Sequence, residues 1–318
     1  MKKVCFGIDI GGTNTEIGMI SEKGVVIEQS KFKTNDFENI EDFIGKIVNT
    51  VTHTFNNHKN NFELAGIGIG APNGNFYSGS IENAPNLKWK GYLPLVSLMK
   101  EKIDTEIILT NDANAAAIGE KIYGAAQNMN DFILITLGTG LGSGFYANGK
   151  LIYGYDGFAG ELGHTIYKED GRPCGCGRKG CLETYASATG IVTTAIKLLS
   201  EYDIKSSLRD NKSKLTSKNI ATAALEGDEI AIKAFELTGK ALGFKLADAV
   251  AITSPEAIIF FGGLALSGDL IINPTKKYME YYLLPIFQNK VKLILSELSG
   301  NNAAILGAGA LIWEKLLK

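Results

Sequence analysis

The chain has 318 residues, of which 45% are hydrophobic and 21% are charged, and its formal net charge is −2. This is the composition of a globular protein with one large domain or two, and the near-neutral charge argues against nucleic acid or an anionic membrane as partners. Asp9 interrupts the first apolar run too early for a signal peptide, and the run around residues 257–266 is too short to cross a bilayer. We therefore expect a cytoplasmic protein.

The first part of the chain alternates strands, glycine-rich turns and helices. Apolar runs and helical spacing predict three strands, a helix and a fourth strand, in that order, at residues 4–10, 15–20, 25–33, 38–57 and 64–71. The fourth strand has glycine at every second position, which predicts that another backbone segment approaches it closely. A short helix at 93–102, a strand at 106–110 and an alanine-rich helix at 113–123 follow.

The second part begins with the same pattern as the first. A strand at 132–137, a glycine loop and a hairpin at 145–153 precede a mostly helical region at 186–251, strands at 257–261 and 292–296, and a closing helix at 303–317. The strand, glycine loop and hairpin of residues 6–19 thus recur at 133–147. Two such α/β units facing each other would form one cleft. We predict a hinge near Asn111–Asp112, a small lobe of 1–111 with 303–318, and a large lobe of 112–302.

Two glycine-rich loops, at residues 11–14 and 138–140, each join a strand to a strand. Neither has the lysine of a P-loop, and a dinucleotide-binding loop would have to open a helix. Each offers a run of backbone N–H groups and a threonine hydroxyl, from Thr13 and Thr139, which together can bind an anion. Asp9 precedes the first loop and could hold Mg²⁺ directly or through water. The alternative for each loop is an ordinary hairpin turn.

Three thiols and one imidazole fall within eighteen positions, which is a complete ligand set for a tetrahedral zinc: His164, Cys174, Cys176 and Cys181. Four protein ligands leave no open position, so the metal would be structural. The glycines between the cysteines allow the tight turn that this spacing requires. A disulfide between Cys174 and Cys181 is the alternative. Cys5 stands apart in an apolar run, and we predict that it packs in the core. Glu161 and Glu183 flank the ligands and could face a polyhydroxylated ligand.

Asp112 lies between a predicted strand and a predicted helix. An aspartate there is commonly a helix cap. The carboxyl end of a strand in an open α/β sheet is also where ligand chemistry is concentrated, and phosphoryl transfer requires a carboxylate that accepts the proton of the attacking hydroxyl. With the glycine loops interpreted as phosphate sites, we predict that Asp112 is this base, a role compatible with capping.

The motifs together resemble the ROK family of sugar kinases and sugar-responsive repressors over nearly the whole chain. They are Asp9-Ile-Gly-Gly-Thr-Asn14, Asn111-Asp112-Ala-Asn114, Leu137-Gly-Thr-Gly-Leu-Gly142, Glu161-Leu-Gly-His164 and Cys174-Gly-Cys176-Gly-Arg-Lys-Gly-Cys181-Leu-Glu183. The resemblance implies an α/β, actin-like ATPase (ribonuclease H-like) fold with two lobes around a cleft. The Pro72-Asn73-Gly74 turn departs from a common family pattern and leaves the role of Asn73 open.

The resemblance also implies a reaction: phosphorylation of the 6-hydroxyl of glucose by ATP, with Mg²⁺ and a structural Zn²⁺, in a homodimer. Asp112 would be the base, and the sugar would be bound by Asn86, Asn111, Glu161, His164 and Glu183. The nucleotide and its phosphates would be bound by Asp9, Gly11, Gly12, Thr13, Asn14, Thr139, Gly140, Gly262 and Gly263. Alternatives are another hexose (N-acetylmannosamine, N-acetylglucosamine, fructose or allose), another phosphoryl donor, or a sugar-sensing repressor.

Overall fold

The computed structural model of the protein describes residues 1–210, 214–298, 300 and 302–317. Contacts divide the chain into two compact units. Unit 1 comprises Met1–Met129, Leu151–Ala159 and Ser296–Lys318, and unit 2 comprises Asn130–Lys150 and Gly160–Leu295. The predicted boundary at Asn111–Asp112 instead falls inside unit 1, because the helix that begins at Asp112 packs against the C-terminal helix of the same unit.

Unit 1 is built on a five-stranded sheet and a small three-stranded sheet. Its strands are β1 (Lys2–Ile10), β2 (Asn14–Ser21), β3 (Val26–Lys33), β4 (Phe62–Gly70), β5 (Gly74–Asn75), β6 (Ser80–Glu82), β7 (Tyr92–Leu93) and β8 (Ile107–Thr110). The large sheet has the order β3-β2-β1-β4-β8, in which β1, β2 and β3 are antiparallel neighbours and β4 and β8 are parallel additions. The carboxyl ends of β1, β4 and β8 therefore lie at one edge.

Unit 2 repeats this arrangement. Its strands are β9 (Phe132–Leu137), β10 (Leu141–Ala147), β11 (Lys150–Leu151, which ends at the start of a unit 1 segment), β12 (Ala257–Phe261) and β13 (Lys292–Leu295). Their order is β11-β10-β9-β12-β13. Strand β10 is antiparallel to β9, whereas β12 is parallel to β9 and β13 is parallel to β12. The order matches that of the large sheet of unit 1, strand for strand. The predicted repeat is confirmed.

Eight α-helices lie within the described residues. They are α1 (Ile40–His58), α2 (Leu95–Lys100), α3 (Asp112–Tyr123), α4 (Ala188–Glu201), α5 (Ser217–Leu225), α6 (Glu229–Thr253), α7 (Asp269–Tyr282) and α8 (Ala303–Leu317). Helices α4–α7 belong to unit 2 and the others to unit 1. The predicted helical region 186–251 includes residues 211–213, which lie outside the described part. Each unit has its own buried apolar core.

Glycines on β1 and β4 let α8 pack directly on the sheet of unit 1. A Cβ atom at Gly7 would lie 1.9 Å from the carbonyl oxygen of Ile305, and one at Gly68 would lie 1.9 Å from that of Ala308. Both distances are far shorter than any real carbon–oxygen contact, so only glycine fits at either position. The close approach predicted from the alternating glycines of β4 is confirmed, and the segment that approaches is the C-terminal helix.

We expect Gly68→Ala to destabilise unit 1 by several kcal/mol, because the new methyl group must displace the α8 backbone from the sheet. Gly45→Ala is the matched control. Gly45 lies within α1 with open space where a Cβ would stand, so that change should stabilise the protein by about 0.5–1 kcal/mol. Urea unfolding of the two variants measures both effects. Equal midpoints would contradict this account of the packing.

Helix α7 was not predicted from the sequence. Pro274 lies inside it, and an internal proline usually ends a helix. Packing against α6 overrides that preference. A Cβ at Gly239 would lie 2.7 Å from Cβ of Pro274, and one at Gly243 would lie 2.5 Å from the carbonyl oxygen of Thr275. The two glycines of α6 thus form a shallow surface that receives the proline-containing turn of α7.

Candidate active site

The first glycine loop joins β1 to β2 in unit 1 and is held from one side by Thr34. The Thr34 hydroxyl donates to the carbonyl oxygen of Gly11 at 2.8 Å, and the Thr34 amide donates to that of Thr13 at 2.9 Å. In a trans peptide the N–H points opposite to the C=O. The amides of Gly12 and Asn14 therefore point away from Thr34, as an anion site requires. Thr34 was not singled out from the sequence.

Asn86 lies against the same loop. A Cβ atom at Gly12 would stand 2.6 Å from the carbonyl oxygen of Asn86, so the absence of a side chain at position 12 is what allows the two segments to touch. Asn86 is exposed to solvent. A predicted phosphate-binding residue and a predicted sugar-binding residue are thus neighbours in unit 1.

Asn111, rather than Asp112, caps α3. The Asn111 side-chain oxygen accepts from the Asn114 amide at 2.7 Å, and Asp112 is the first helical residue. The capping role considered for Asp112 therefore belongs to its neighbour, because the chain turns into the helix one residue earlier. The Asp112 carboxylate accepts from the Ala113 amide at 2.9 Å. The Asn73 side-chain amide donates to the carbonyl oxygen of Glu82 at 2.9 Å, which ties this residue of the predicted turn to β6.

Asp9 and Asp112 both have raised pKa values. Asp112 as a residue is exposed, but protein atoms surround its carboxyl group. The resulting desolvation raises the pKa of this group. Desolvation, followed by repulsion from Asp112 and Glu16, raises the pKa of Asp9 to about 7. The end of β1 and the start of α3 therefore concentrate negative charge that is poorly hydrated. Such a pair attracts a divalent cation.

The raised pKa of Asp9 gives a pH-dependent stability. The unfolded chain would ionise Asp9 near 3.8, whereas the folded chain does so near 7, so stability falls as pH rises through this window. Asp9→Asn removes the cost of ionisation. Without added Mg²⁺ we expect it to be more stable than the parent at pH 8 by a few kcal/mol, on the order of 4, and equally stable at pH 4. Thermal melts at both pH values measure this, with exposed Asp104→Asn as the control. Equal melting temperatures at pH 8 would refute it.

The second glycine loop joins β9 to β10 in unit 2 and is a tight turn, with the Gly138 amide donating to the Gly140 carbonyl oxygen at 3.1 Å. The predicted pair Gly262-Gly263 follows β12 beside it. Gly262 has a φ of 99°, and a Cβ there would lie 2.8 Å from the carbonyl oxygen of Leu137. Glycine is therefore required at position 262 by both conformation and space.

Glu183 contacts this loop as well as the predicted metal ligands. One carboxylate oxygen accepts from the Leu141 amide at 3.4 Å, and the other lies 3.0 Å from the Cys174 sulfur and 3.8 Å from Nδ1 of His164. Glu161 is exposed and lies one turn before His164. Both carboxylates predicted to flank the metal thus belong to the same segment of unit 2 as its ligands.

The four predicted zinc ligands converge. The ligand atoms of His164, Cys174, Cys176 and Cys181 all lie within 4.8 Å of one another. The sulfurs of Cys176 and Cys181 are 3.6 Å apart, and Nδ1 of His164 is 3.7 Å from the Cys174 sulfur. A tetrahedron with zinc–sulfur bonds of about 2.3 Å has edges of roughly 3.8 Å, so these spacings fit the metal. All three cysteines are free, and the predicted alternative of a disulfide is wrong.

Arg172 anchors the metal-binding segment to α4 and was missed in the sequence. Its guanidinium donates to the carbonyl oxygens of Thr184 and Gly190 at 2.6 and 3.0 Å and stacks on the Tyr185 ring. A signal was available, because the chain has only three arginines and two of them, Arg172 and Arg178, lie in this segment. The second also contributes, donating to the backbone carbonyl of His164 at 2.8 Å.

Comparison with known proteins identifies the family. The profile of the ROK family matches residues 5–315. The chain belongs to the ROK family. It is 36% identical to a glucokinase of Halalkalibacterium halodurans over 97% of this chain and 94% of that protein. It is 31% identical to a Thermotoga maritima glucokinase over 98% and 97%, respectively.

A solved structure extends the likeness to three dimensions. The ROK family glucokinase of Streptomyces griseus, crystallised with glucose and AMPPNP, matches with a TM-score of 0.77 at 31% identity, covering 98% of this chain and 99% of that one. The predicted family and the predicted actin-like ATPase fold are confirmed.

None of the helices in the described ranges has an apolar stretch long enough to span a lipid bilayer.

The two units hold different parts of the predicted ROK site. The first glycine loop lies in unit 1 with the residues Asp9, Asn86, Asn111 and Asp112. The second glycine loop lies in unit 2 with Gly262 and Gly263, Glu161 and Glu183, and the four metal ligands. Within each unit the structure brings a glycine loop next to a residue predicted to bind sugar, Asn86 in the first and Glu183 in the second.

Proposed function

We propose that this protein is an ATP-dependent hexose kinase that transfers a phosphoryl group to the 6-hydroxyl of glucose. The observation that carries the proposal is the likeness to glucokinases along essentially the whole chain, combined with a desolvated carboxylate at the start of α3. The conformations of the glycine loops support it, since the first loop directs N–H groups away from the residue that holds it. Phosphoryl transfer depends on positioning and charge stabilisation more than on covalent chemistry.

In unit 1, Asp112 would accept the proton of the attacking hydroxyl. Its raised pKa makes it a stronger base than an ordinary aspartate. Asn86 and Asn111 would bind sugar hydroxyls; Asn111 can do so through its amide N–H, because its oxygen already caps α3. Gly11, Gly12, Thr13 and Asn14 would bind phosphate oxygens, and Asp9 would hold Mg²⁺, which neutralises phosphate charge when bound.

In unit 2, Glu161, His164 and Glu183 would bind sugar hydroxyls. Nδ1 of His164 faces the thiols, so Nε2 is the nitrogen that remains for a hydroxyl. The four ligands would hold a structural Zn²⁺, whose role is to fix this segment. Thr139 and Gly140 would bind phosphate oxygens, and Gly262 and Gly263 would lie beside the adenosine. We also propose that the protein is a homodimer. Light scattering, which measures the molar mass in solution, tests this directly.

The test of the proposal is a sugar-dependent release of ADP. With ATP and Mg²⁺, we expect kcat/KM for glucose to exceed that for N-acetylmannosamine, N-acetylglucosamine, fructose and allose. Differences of one substituent in a pocket change this ratio by about 10- to 200-fold, so the ranking is measurable. A preference for another hexose would change the proposed substrate but would keep the protein a hexose kinase. If none of these sugars supports ADP release, the protein is not a hexose kinase. Replacing ATP with polyphosphate tests the identity of the phosphoryl donor.

A further inference from the structure

The first turn of α4 holds the second glycine loop. The Ala188 amide donates to the carbonyl oxygen of Gly138 at 2.9 Å, and the Thr189 hydroxyl donates to the carbonyl oxygen of Thr139 at 2.8 Å. Two consecutive peptide groups of the loop are thereby tied to one rigid element. All the residues involved lie in unit 2.

These two bonds determine where the loop directs its donors. No cis peptide bond occurs among the described residues, and in a trans peptide the N–H is antiparallel to the C=O. The carbonyls of Gly138 and Thr139 face α4, so the amides of Thr139 and Gly140 face away from it. This is the same device that Thr34 provides at the first glycine loop, where it fixes the carbonyls of Gly11 and Thr13.

The Thr189 side chain is well placed to act as a fixed restraint. It belongs to a 14-residue helix that the Ser187 side chain caps by accepting from the Gly190 amide at 3.0 Å. The Ser187 and Thr189 hydroxyl oxygens are 3.1 Å apart, so the serine can donate to the threonine while the threonine donates to the loop. On the loop side, glycine at position 140 lacks the Cβ that would otherwise limit rotation of the Thr139–Gly140 peptide.

We infer that Thr189 is a positioning residue for the nucleotide, a role that rests on the proposed kinase function. Its hydroxyl keeps the Thr139–Gly140 peptide oriented so that the Gly140 amide donates to a phosphate oxygen of ATP. Loss of the hydroxyl releases this peptide and weakens one hydrogen bond to a charged group. Nucleotide affinity should fall about tenfold, while hexose affinity should not change.

The experiment measures binding of AMPPNP with Mg²⁺ by calorimetry, without hexose, in the full chain. Thr189→Val removes the hydroxyl and keeps the shape, and Thr189→Ser restores a hydroxyl. Thr193→Val is the matched control, since the Thr193 hydroxyl donates one turn further along α4 to the carbonyl oxygen of Thr189 and not to the loop. We expect about tenfold weaker binding for Thr189→Val and values near the parent for the other two variants.

Kinetics and thermal melting separate this role from general destabilisation. Thr189→Val should raise KM for ATP and leave KM for glucose unchanged, with a melting temperature close to that of Thr193→Val. Parent-like AMPPNP binding by Thr189→Val overturns the inference and leaves the kinase proposal standing. Equal losses in all three variants also overturn it. If the parent chain fails to bind AMPPNP, the proposed donor is wrong and the inference falls with it.

Discussion

Asp112→Asn is expected to lower kcat by about 10²–10⁴-fold, because an amide cannot accept the proton of the attacking hydroxyl. The asparagine has nearly the same size, so KM for glucose and the affinity for AMPPNP should stay close to the parent values. This pattern would place the loss in the chemical step and not in binding. Steady-state kinetics of ADP release, with calorimetry of both ligands, measures it.

Helix α1 provides the control for that change. Asp42 lies in the first turn of α1, behind the capping residue Asn39, much as Asp112 lies in the first turn of α3 behind Asn111. Asp42→Asn should retain full activity. Asn111→Ala removes the cap of α3 and should lower the free energy of unfolding by about 1 kcal/mol, whereas Asp112→Asn keeps that cap and should not lower it. Turnover of Asp112→Asn near the parent rate would rule out this residue as the base.

The contrast between Asn111 and Asp112 shows what local sequence can determine. The sequence predicted a helix start and a carboxylate at the sheet edge, but it placed both the possible cap and the base at Asp112, although Asn111 is an equally good capping residue. The assignment depends on the residue at which the backbone turns, and local sequence does not fix that position to within one residue. The packing of α3 on α8 is likewise a tertiary contact that no local pattern marks. In the structure, a Cβ at Gly307 of α8 would lie 2.7 Å from the carbonyl oxygen of Ala115.

Other features followed from sequence because their signals are local. Alternating glycines on β4 predicted a close backbone contact, and cysteine spacing with His164 predicted the ligand cluster. The supports of the loops could not be predicted in this way. Thr34 acts through its hydroxyl and its amide, and Thr189 acts through its hydroxyl. Both lie on elements that are distant in sequence from the turns they hold, and nothing in a threonine's neighbours marks such a contact. Helix α7 was missed for a related reason, since only its packing on α6 outweighs Pro274.

Cys181→Ser is expected to abolish tight zinc binding and to lower kcat/KM for glucose roughly a hundredfold or more. The Cys181 side chain is fully buried, and Glu183 lies only two residues after it, so the same short turn presents a metal ligand and a proposed sugar ligand. A displacement of about 1 Å in such a residue is enough for a loss of that size. Metal analysis should find about one zinc per parent chain and almost none in the variant.

Cys5→Ser separates this effect from the loss of any buried thiol. Cys5 is equally buried but lies in β1 of unit 1, where its sulfur contacts the carbonyl oxygen of Gly309 at 3.4 Å. That variant should keep its zinc and its KM for glucose even if its melting temperature falls. Because Glu183 contacts both the ligand cluster and the second glycine loop, metal loss should also weaken nucleotide binding. A zinc-free Cys181→Ser protein with parent-like affinity for both substrates would show that the metal does not organise the site.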